Sequence, residues 1–232
     1  MPKRGSILLL TFILLFGAGI LLMAGKPGSH TGVTAKEQAD GIEPAAEIPG
    51  WLVEAVKSRF SPDAQALVKP EQITFMQVQM QPPSAGKRPE LAAFLTLDRL
   101  NGVFLLFADR GGRYELVYEK LLPVYGVEVA GAAQQQLVLT AGQGGTGMQE
   151  NKLFVIRHTN QGYREVWEGV GHSHAARETI ETVDGQVVID AEGNLIYLQL
   201  KRTLDSAGNP LMEQSSYQLY RFDEQTGRYE RI

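Results

Sequence analysis

The stretch NQGYREVWEGVGHSHAARET, residues 160–179, decides how the second half of the chain is interpreted. Its first half is typical of the end of a β-hairpin, because Gly162 suits a turn and the residues after it alternate between aromatic and charged types. Its second half places His172 and His174 between glycines. This half is either a metal or catalytic site, or the connection between two structural repeats. We interpret it as the connection and predict a solvated loop there.

The repeat itself is visible in three segments that share one shape: an apolar strand, a polar turn containing glycine, and a strand that opens with tyrosine. These segments are 102–119, 152–168 and 216–232, with Tyr114, Tyr163 and Tyr229 at the openings and Gly112, Gly162 and Gly227 in the turns. Two further apolar runs precede each segment: 73–80 and 91–97, then 124–131 and 136–141, then 179–189 and 194–200. The pattern predicts a mainly β domain over residues 71–232, built from about three four-stranded antiparallel meanders.

This layout resembles the blades of β-propellers of the FG-GAP or VCBS type, which occur in exported bacterial proteins and integrin heads. The resemblance covers roughly residues 71–232 and implies blade-like packing of the meanders. The family's calcium loop has the form DxDGDG, whereas the nearest segment here, DAEGN at 190–194, lacks that ligand spacing and glycine placement. Closed propellers have four or more blades. Three repeats therefore leave open a curved array, a sandwich, or closure as a dimer.

The N-terminal region carries an export signal or membrane anchor. Residues 1–5 contain Lys3 and Arg4, and residues 6–24 form an uncharged apolar run. As a helix this run would span roughly 28 Å, close to the thickness of a hydrocarbon core. We predict a single transmembrane helix with a cytoplasmic N-terminus and an extracytoplasmic remainder, and keep a cleaved signal peptide with secretion as the alternative.

Two further segments connect the apolar run to the β domain. Residues 25–49 are small, polar and interrupted by glycine and proline, which is typical of a flexible linker. Residues 50–70 predict two short amphipathic helices, the second beginning after an N-cap at Ser61 and ending before Pro70.

Composition excludes several classes of function. The chain has 232 residues, of which 44% are hydrophobic, and contains no cysteine, so disulfides, thiol catalysis and cysteine-ligated zinc are excluded. All 26 acidic residues lie after residue 36, and there is no basic block that would indicate nucleic-acid binding.

One glycine-rich segment has a competing interpretation. GQGGTG, residues 142–147, matches the dinucleotide fingerprint G-x-G-x-x-G and follows an apolar strand. However, Phe154, Val155 and Ile156 favour a strand where that fold needs a helix, and no further βαβ unit follows. We therefore predict a hairpin loop, and no cofactor of any kind.

The candidate ligand-binding residues are His172, His174, Tyr163, Trp167 and Tyr125. The two histidines would share a face on a strand, but a zinc site needs three or four ligands and no others are fixed nearby, so no metal is predicted. No catalytic set is predicted either, because no G-x-S-x-G elbow is present and Ser173 lies beside the histidines only in sequence.

The sequence therefore predicts a membrane-anchored, extracytoplasmic β-repeat domain that is a non-enzymatic interaction module. Its partner would be an envelope protein or a cell-wall glycan, and not a nucleic acid. Two alternatives stay open: a module that binds carbohydrate or another small ligand through exposed aromatics, and a hydrolase that uses residues 168–178.

Overall fold

The computed structural model describes residues 47–82, 87–131, 134–145, 148–176 and 178–232. The predicted cytoplasmic tail, the apolar run 6–24 and nearly all of the linker lie outside these residues. Among the residues that the structure describes, no helix has the length and apolar character needed to cross a membrane.

Short helices lead into the β domain, where the sequence predicts them. Helix α1 spans Gly50–Lys57 and helix α2 spans Pro62–Gln65, followed by a 3₁₀ turn at Pro70–Gln72. The hydroxyl of Ser61 accepts a hydrogen bond from the Ala64 N–H and so caps α2, while Pro62 occupies the first helical position.

The remainder is mainly β, as predicted, in two antiparallel sheets of four and eight strands. The first sheet contains β1 Thr74–Val78, β2 Glu90–Thr96, β3 Gly102–Arg110 and β4 Arg113–Lys120 in sequential order. The second sheet, also in sequential order, contains β5 Val124–Ala130, β6 Gln136–Gly145, β7 Met148–Thr159, β8 Gly162–Ala176, β9 Ile180–Ile189, β10 Leu195–Leu204, β11 Pro210–Asp223 and β12 Arg228–Arg231.

The prediction of a solvated loop after residue 168 is wrong. Strand β8 continues to Ala176, and its last residues pair with β9, with His172 opposite Asp184 and His174 opposite Thr182. The second and third predicted meanders are thereby joined into the eight-stranded sheet. Within the described residues, neither sheet closes into a propeller, since β1, β4, β5 and β12 remain edge strands.

The hydrophobic core has three parts that alternate with the sheets. Helix α1 packs Leu52 and Val56 against the outer face of β1–β4. The inner face of that sheet packs Phe104 and Leu106 against β5–β8. In the third cluster, β6–β8 pack against β10 and β12 of the same sheet, so the eight-stranded sheet folds back on itself.

Glycines in β8 and β9 permit this fold-back. A Cβ on Gly185 would lie 1.9 Å from the carbonyl oxygen of Val170, and a Cβ on Gly169 would lie 2.4 Å from the ring of Trp167. The pairing of β7 with β8 also shifts register between Asn151 and Lys152, which is the mark of a β-bulge. Bulges and strand glycines bend a sheet and allow close approach of backbones, so the sequence EGVG at 168–171 specifies the corner rather than a loop.

We expect Gly185→Ala to destabilise the protein by about 2 kcal/mol or more, because the new methyl group overlaps a backbone carbonyl that cannot move independently of β8. Gly126→Ala is the matched control, since its Cβ would have ordinary contacts of 3.8 and 3.9 Å with Thr140. Denaturant unfolding of the full chain measures both. Equal stability of the two variants would contradict the role assigned to Gly185.

Candidate functional site

The two histidines lie on one face of β8, next to polar residues of β9. The Nδ1 atom of His172 is 2.8 Å from a carboxylate oxygen of Asp184, and Arg202 donates to the other oxygen of that carboxylate at 3.3 Å. Ser173 is the next residue along the strand and so faces the opposite side of the sheet. It therefore does not complete a nucleophilic set with His172 and Asp184.

The three aromatic candidates lie in different places. Tyr163 is buried between the two sheets, and Trp167 is buried in the cluster formed by the fold-back. Tyr125 is exposed on the edge strand β5. The structure therefore does not bring these aromatics together with the histidines at one surface.

The acidic turn at 190–194 is closed by its own residues. The carboxylate of Asp190 accepts hydrogen bonds from the backbone N–H of Asn194 at 2.7 Å and from its side-chain amide at 3.0 Å. Burial acts to raise the pKa of Asp190, but these hydrogen bonds outweigh burial and lower it. In the described part of the chain, no group of three or more histidine, aspartate and glutamate side chains is placed to hold a metal ion.

Residues 142–145 of the glycine-rich segment lie in strand β6 of a hairpin, so the predicted hairpin is present, but these residues form strand rather than loop. Strands β6 and β7 pair from Leu137 opposite Ile156 to Gly145 opposite Met148. A Cβ on Gly142 would lie 2.2 Å from the carbonyl oxygen of Glu150, so this glycine serves strand pairing.

A cleft of about 750 Å³ lies where the β1–β2, β5–β6 and β9–β10 connections meet. We call it the amide cleft because five glutamines line it: Gln79, Gln81, Gln134, Gln135 and Gln136. The turn 190–194, the strand residues Arg157, Arg221 and Phe222, and Glu224 of the β11–β12 turn line the rest of its wall.

The glutamines tie the three connections together. The side-chain oxygen of Gln135 accepts from the backbone N–H of Gln79 at 2.7 Å, and the amide of Gln134 donates to the carbonyl of His158 at 2.8 Å. Gln136 is buried and donates at 3.0 Å to the hydroxyl of Tyr229, which lies 3.0 Å from the carbonyl oxygen of Gly193 in the β9–β10 connection and donates to it. Burial raises the pKa of Tyr229, so its phenol stays neutral. These bonds fix the rim of the cleft in place.

A buried acid–phenol pair lies directly behind the cleft. Glu90 is only 3% exposed and accepts from the Met80 N–H at 3.0 Å and from the Tyr163 hydroxyl at 2.5 Å. The side-chain amide of Gln81 donates to the same hydroxyl. Burial, reinforced by the hydrogen bond to Glu90, raises the pKa of Tyr163. Tyr163 is thus a hydrogen-bond donor between the two sheets rather than an exposed ligand contact.

Arg157 is the distinctive charged group of the amide cleft. Its side chain is 15% exposed and its guanidinium lies 3.9 Å above the centre of the Phe222 ring. Its terminal nitrogen is 3.6 Å from an oxygen of Glu224, which is well exposed. Its Nε atom is buried and has no hydrogen-bond partner among the described residues. Because Nε is shielded from solvent, a ligand in the cleft would meet the exposed part of the Arg157 side chain and not this atom.

Sequence reasoning missed the amide cleft. Glutamines form no recognised motif, and the residues involved are separated along the chain by up to 145 positions, from Gln79 to Glu224. A signal for the cleft was present in the sequence as the run of three glutamines at 134–136. A short connection between two strands does not need three amide side chains, so the run could have indicated another role.

Comparisons with known proteins found no matching family model, no matching curated protein and no matching solved structure. Function is therefore inferred from the geometry of the chain itself.

We expect Tyr163→Phe to lower the free energy of unfolding by about 1–3 kcal/mol, because the buried carboxylate of Glu90 loses its phenol donor. Tyr125→Phe removes the hydroxyl from an exposed tyrosine and should stay within about 0.5 kcal/mol of the wild type. Urea unfolding of both variants provides the comparison. An unchanged Tyr163→Phe variant would show that the Glu90–Tyr163 bond contributes no net stability.

We expect the protein to lose stability in mild acid because of His158. Burial lowers its pKa, and the charges of Arg110 and Lys87 add to that effect while Glu90 opposes it. A lowered pKa in the folded state means that the unfolded chain binds the proton first, so stability is complete above about pH 6.5 and falls below it.

His158→Phe keeps an aromatic ring beside Tyr163 and removes this titration. We expect its melting temperature to change less between pH 7 and pH 5 than that of the wild type. The carboxyls with lowered pKa, such as Asp190 and Asp205, titrate below this window. Parallel pH profiles for the two proteins would contradict the assignment.

Proposed function

We propose that the chain is a non-enzymatic binding module whose amide cleft holds an extended, polar segment of another envelope protein. The observation that carries the proposal is the partly exposed guanidinium of Arg157 in the wall of a cleft rimmed by glutamine amides. Amides supply both donors and acceptors, and the guanidinium supplies a charged donor, which together match peptide carbonyls, peptide N–H groups and carboxylates.

A peptide segment fits the cleft better than a glycan does. Carbohydrate binding by exposed aromatics requires an open ring face, and the aromatic ring that lines the cleft, Phe222, is covered by Arg157. Tyr125 does not line the cleft. The glycan or small-ligand alternative is thus the weaker proposal. The hydrolase alternative has the His172–Asp184 pair, but Ser173 beside it faces the other side of the sheet.

The proposed setting is the cell membrane. The apolar run 6–24 would anchor the chain with its N-terminus in the cytoplasm, and residues 25–49 would carry the β domain away from the bilayer. Secretion after cleavage is the alternative setting. The FG-GAP or VCBS likeness also stays a proposal; the face-to-face packing of successive meanders supports it, while the two open sheets set the chain apart from a closed propeller.

We expect Arg157→Gln to reduce partner recovery at least about tenfold, because a charge-assisted hydrogen bond worth about 1.5–3 kcal/mol is lost. The experiment is mild crosslinking of the full-length, C-terminally tagged chain in its native membrane, followed by quantitative identification of co-purified proteins. Arg99→Gln is the control, since Arg99 is exposed in the β2–β3 connection at the opposite end of the strands.

A thermal unfolding measurement shows whether the Arg157→Gln protein is folded. Equal recovery of a stoichiometric partner by the wild type and by folded Arg157→Gln would overturn the assignment of the cleft. Absence of any stoichiometric protein partner from abundant, folded wild-type bait would shift the proposal to a glycan or small ligand.

A further inference from the structure

Strand β11 leaves most of one edge unpaired. It spans Pro210–Asp223 and pairs with β10 along nearly its whole length, but β12 covers only Tyr220–Asp223 on the other side. We call residues 210–218 the open edge. Within the described residues no strand lies beside it, and every residue from Pro210 to Tyr217 is exposed.

One hydrogen bond shows which backbone N–H and C=O groups point out from the open edge. The carbonyl of Leu219 accepts from the N–H of Ile232 at 3.0 Å, so Leu219 directs its backbone groups away from β10. Because these directions alternate along an antiparallel strand, the N–H and C=O groups of Tyr217, Ser215 and Glu213 also face the open edge. Such a row of unpaired groups is a template for another strand.

The side chains of the open edge do little to discourage pairing. Leu211 is 61% exposed and Tyr217 is 56% exposed. Glu213 is the single charged residue between 210 and 218, and Arg202 of β10 already holds it at 3.0 Å. Natural edge strands are usually protected by charges, bulges or covering elements. Here the protection lies mostly at one end: Pro210, a register shift that leaves Leu211 unpaired with β10, and the partly neutralised carboxylate of Glu213.

We propose that the open edge pairs antiparallel with the open edge of a second copy of this chain, about a two-fold axis at Gln214. With this axis each copy contributes residues 212–216, which lie beyond the register shift at Leu211. It places Met212 opposite Ser216, Glu213 opposite Ser215, and Gln214 opposite itself. The result is a continuous antiparallel sheet that runs through both copies.

Neighbouring registers fit less well. An axis at Glu213 places two carboxylates directly opposite each other, which is unfavourable. An axis at Ser215 runs the start of the partner strand into Ile232, which already occupies the position beside Leu219. The axis at Gln214 avoids both conflicts. The match of Glu213 with Ser215 in this register favours a second copy over a strand of an unrelated protein.

The absence of cysteine from the chain permits a clean test with Gln214→Cys. Residue 214 would form a non-hydrogen-bonded pair across the axis, with about 4.5 Å between Cα atoms, which lies within the range that disulfides span. Gln225→Cys, in the exposed β11–β12 turn, is the matched control. The full chain, in detergent and mild oxidant, is analysed on a non-reducing gel.

We expect Gln214→Cys to convert mostly into a covalent dimer and Gln225→Cys to stay monomeric, a difference of at least about tenfold in crosslinking rate. Failure of Gln214→Cys to crosslink, or equal slow crosslinking of both variants, would overturn the proposal.

A second pair of variants tests the backbone contribution directly. Ser215→Pro removes an N–H that faces the open edge and is not used by β10, whereas Ser215→Thr retains it. Sedimentation of the full chain should show dimers for the wild type and Ser215→Thr, and monomers for Ser215→Pro with a similar melting temperature. A monomeric wild type would reject the proposal, and so would a wild type that binds a strand of another protein instead. A Ser215→Pro protein that is still dimeric would show that the copies do not pair through this edge.

Discussion

The hydrogen bonds of two repeated tyrosines set the spacing of the whole stack. Tyr163 reaches from β8 to Glu90, the first residue of β2, and Tyr229 reaches from β12 to Gln136, the first residue of β6. Each tyrosine therefore bonds the start of the second strand of the preceding meander. Because both bonds are buried, a slip of either sheet would leave polar groups without partners in a site that water does not reach. Apolar packing between the layers tolerates small slips, whereas these bonds do not.

The amide cleft is a consequence of this arrangement. The tyrosines align the β1–β2, β5–β6 and β9–β10 connections at one end of the stack, where the glutamines then join them. Glutamine suits this position because its side-chain amide has both a donor nitrogen and an acceptor oxygen. One of the two can bond a backbone group of the neighbouring connection while the other faces the cleft. A rim held in this way needs little reorganisation when a ligand enters, and that reduces the entropic cost of binding.

The strand pattern could be predicted from the sequence because it depends on local signals. Apolar alternation and the turn glycines, among them Gly162 and Gly227 with positive φ, located all twelve strands to within a few residues at most boundaries. The length of β8 was missed because residues 169–176 lack the apolar alternation of a half-buried strand. Their pairing depends instead on the corner at Gly169 and Gly185, a contact between residues on different strands. The amide cleft was missed for the same reason, since its atoms meet only after the stack has formed.

The outer faces at the two ends of the stack of sheets are covered differently. Helix α1 covers the outer face of the first sheet, with Trp51 stacked on Tyr114 and edge-on to Phe107. On the outer face of β8 to β11, a row of polar and charged side chains crosses four strands: His172, Asp184, Arg202 and Glu213. Repeat arrays need a polar outer face on their terminal unit, and this row supplies one where the described residues place no covering helix. The row ends at Glu213 on β11, where it meets the open edge, so these side chains cover the face and leave the edge itself available for pairing.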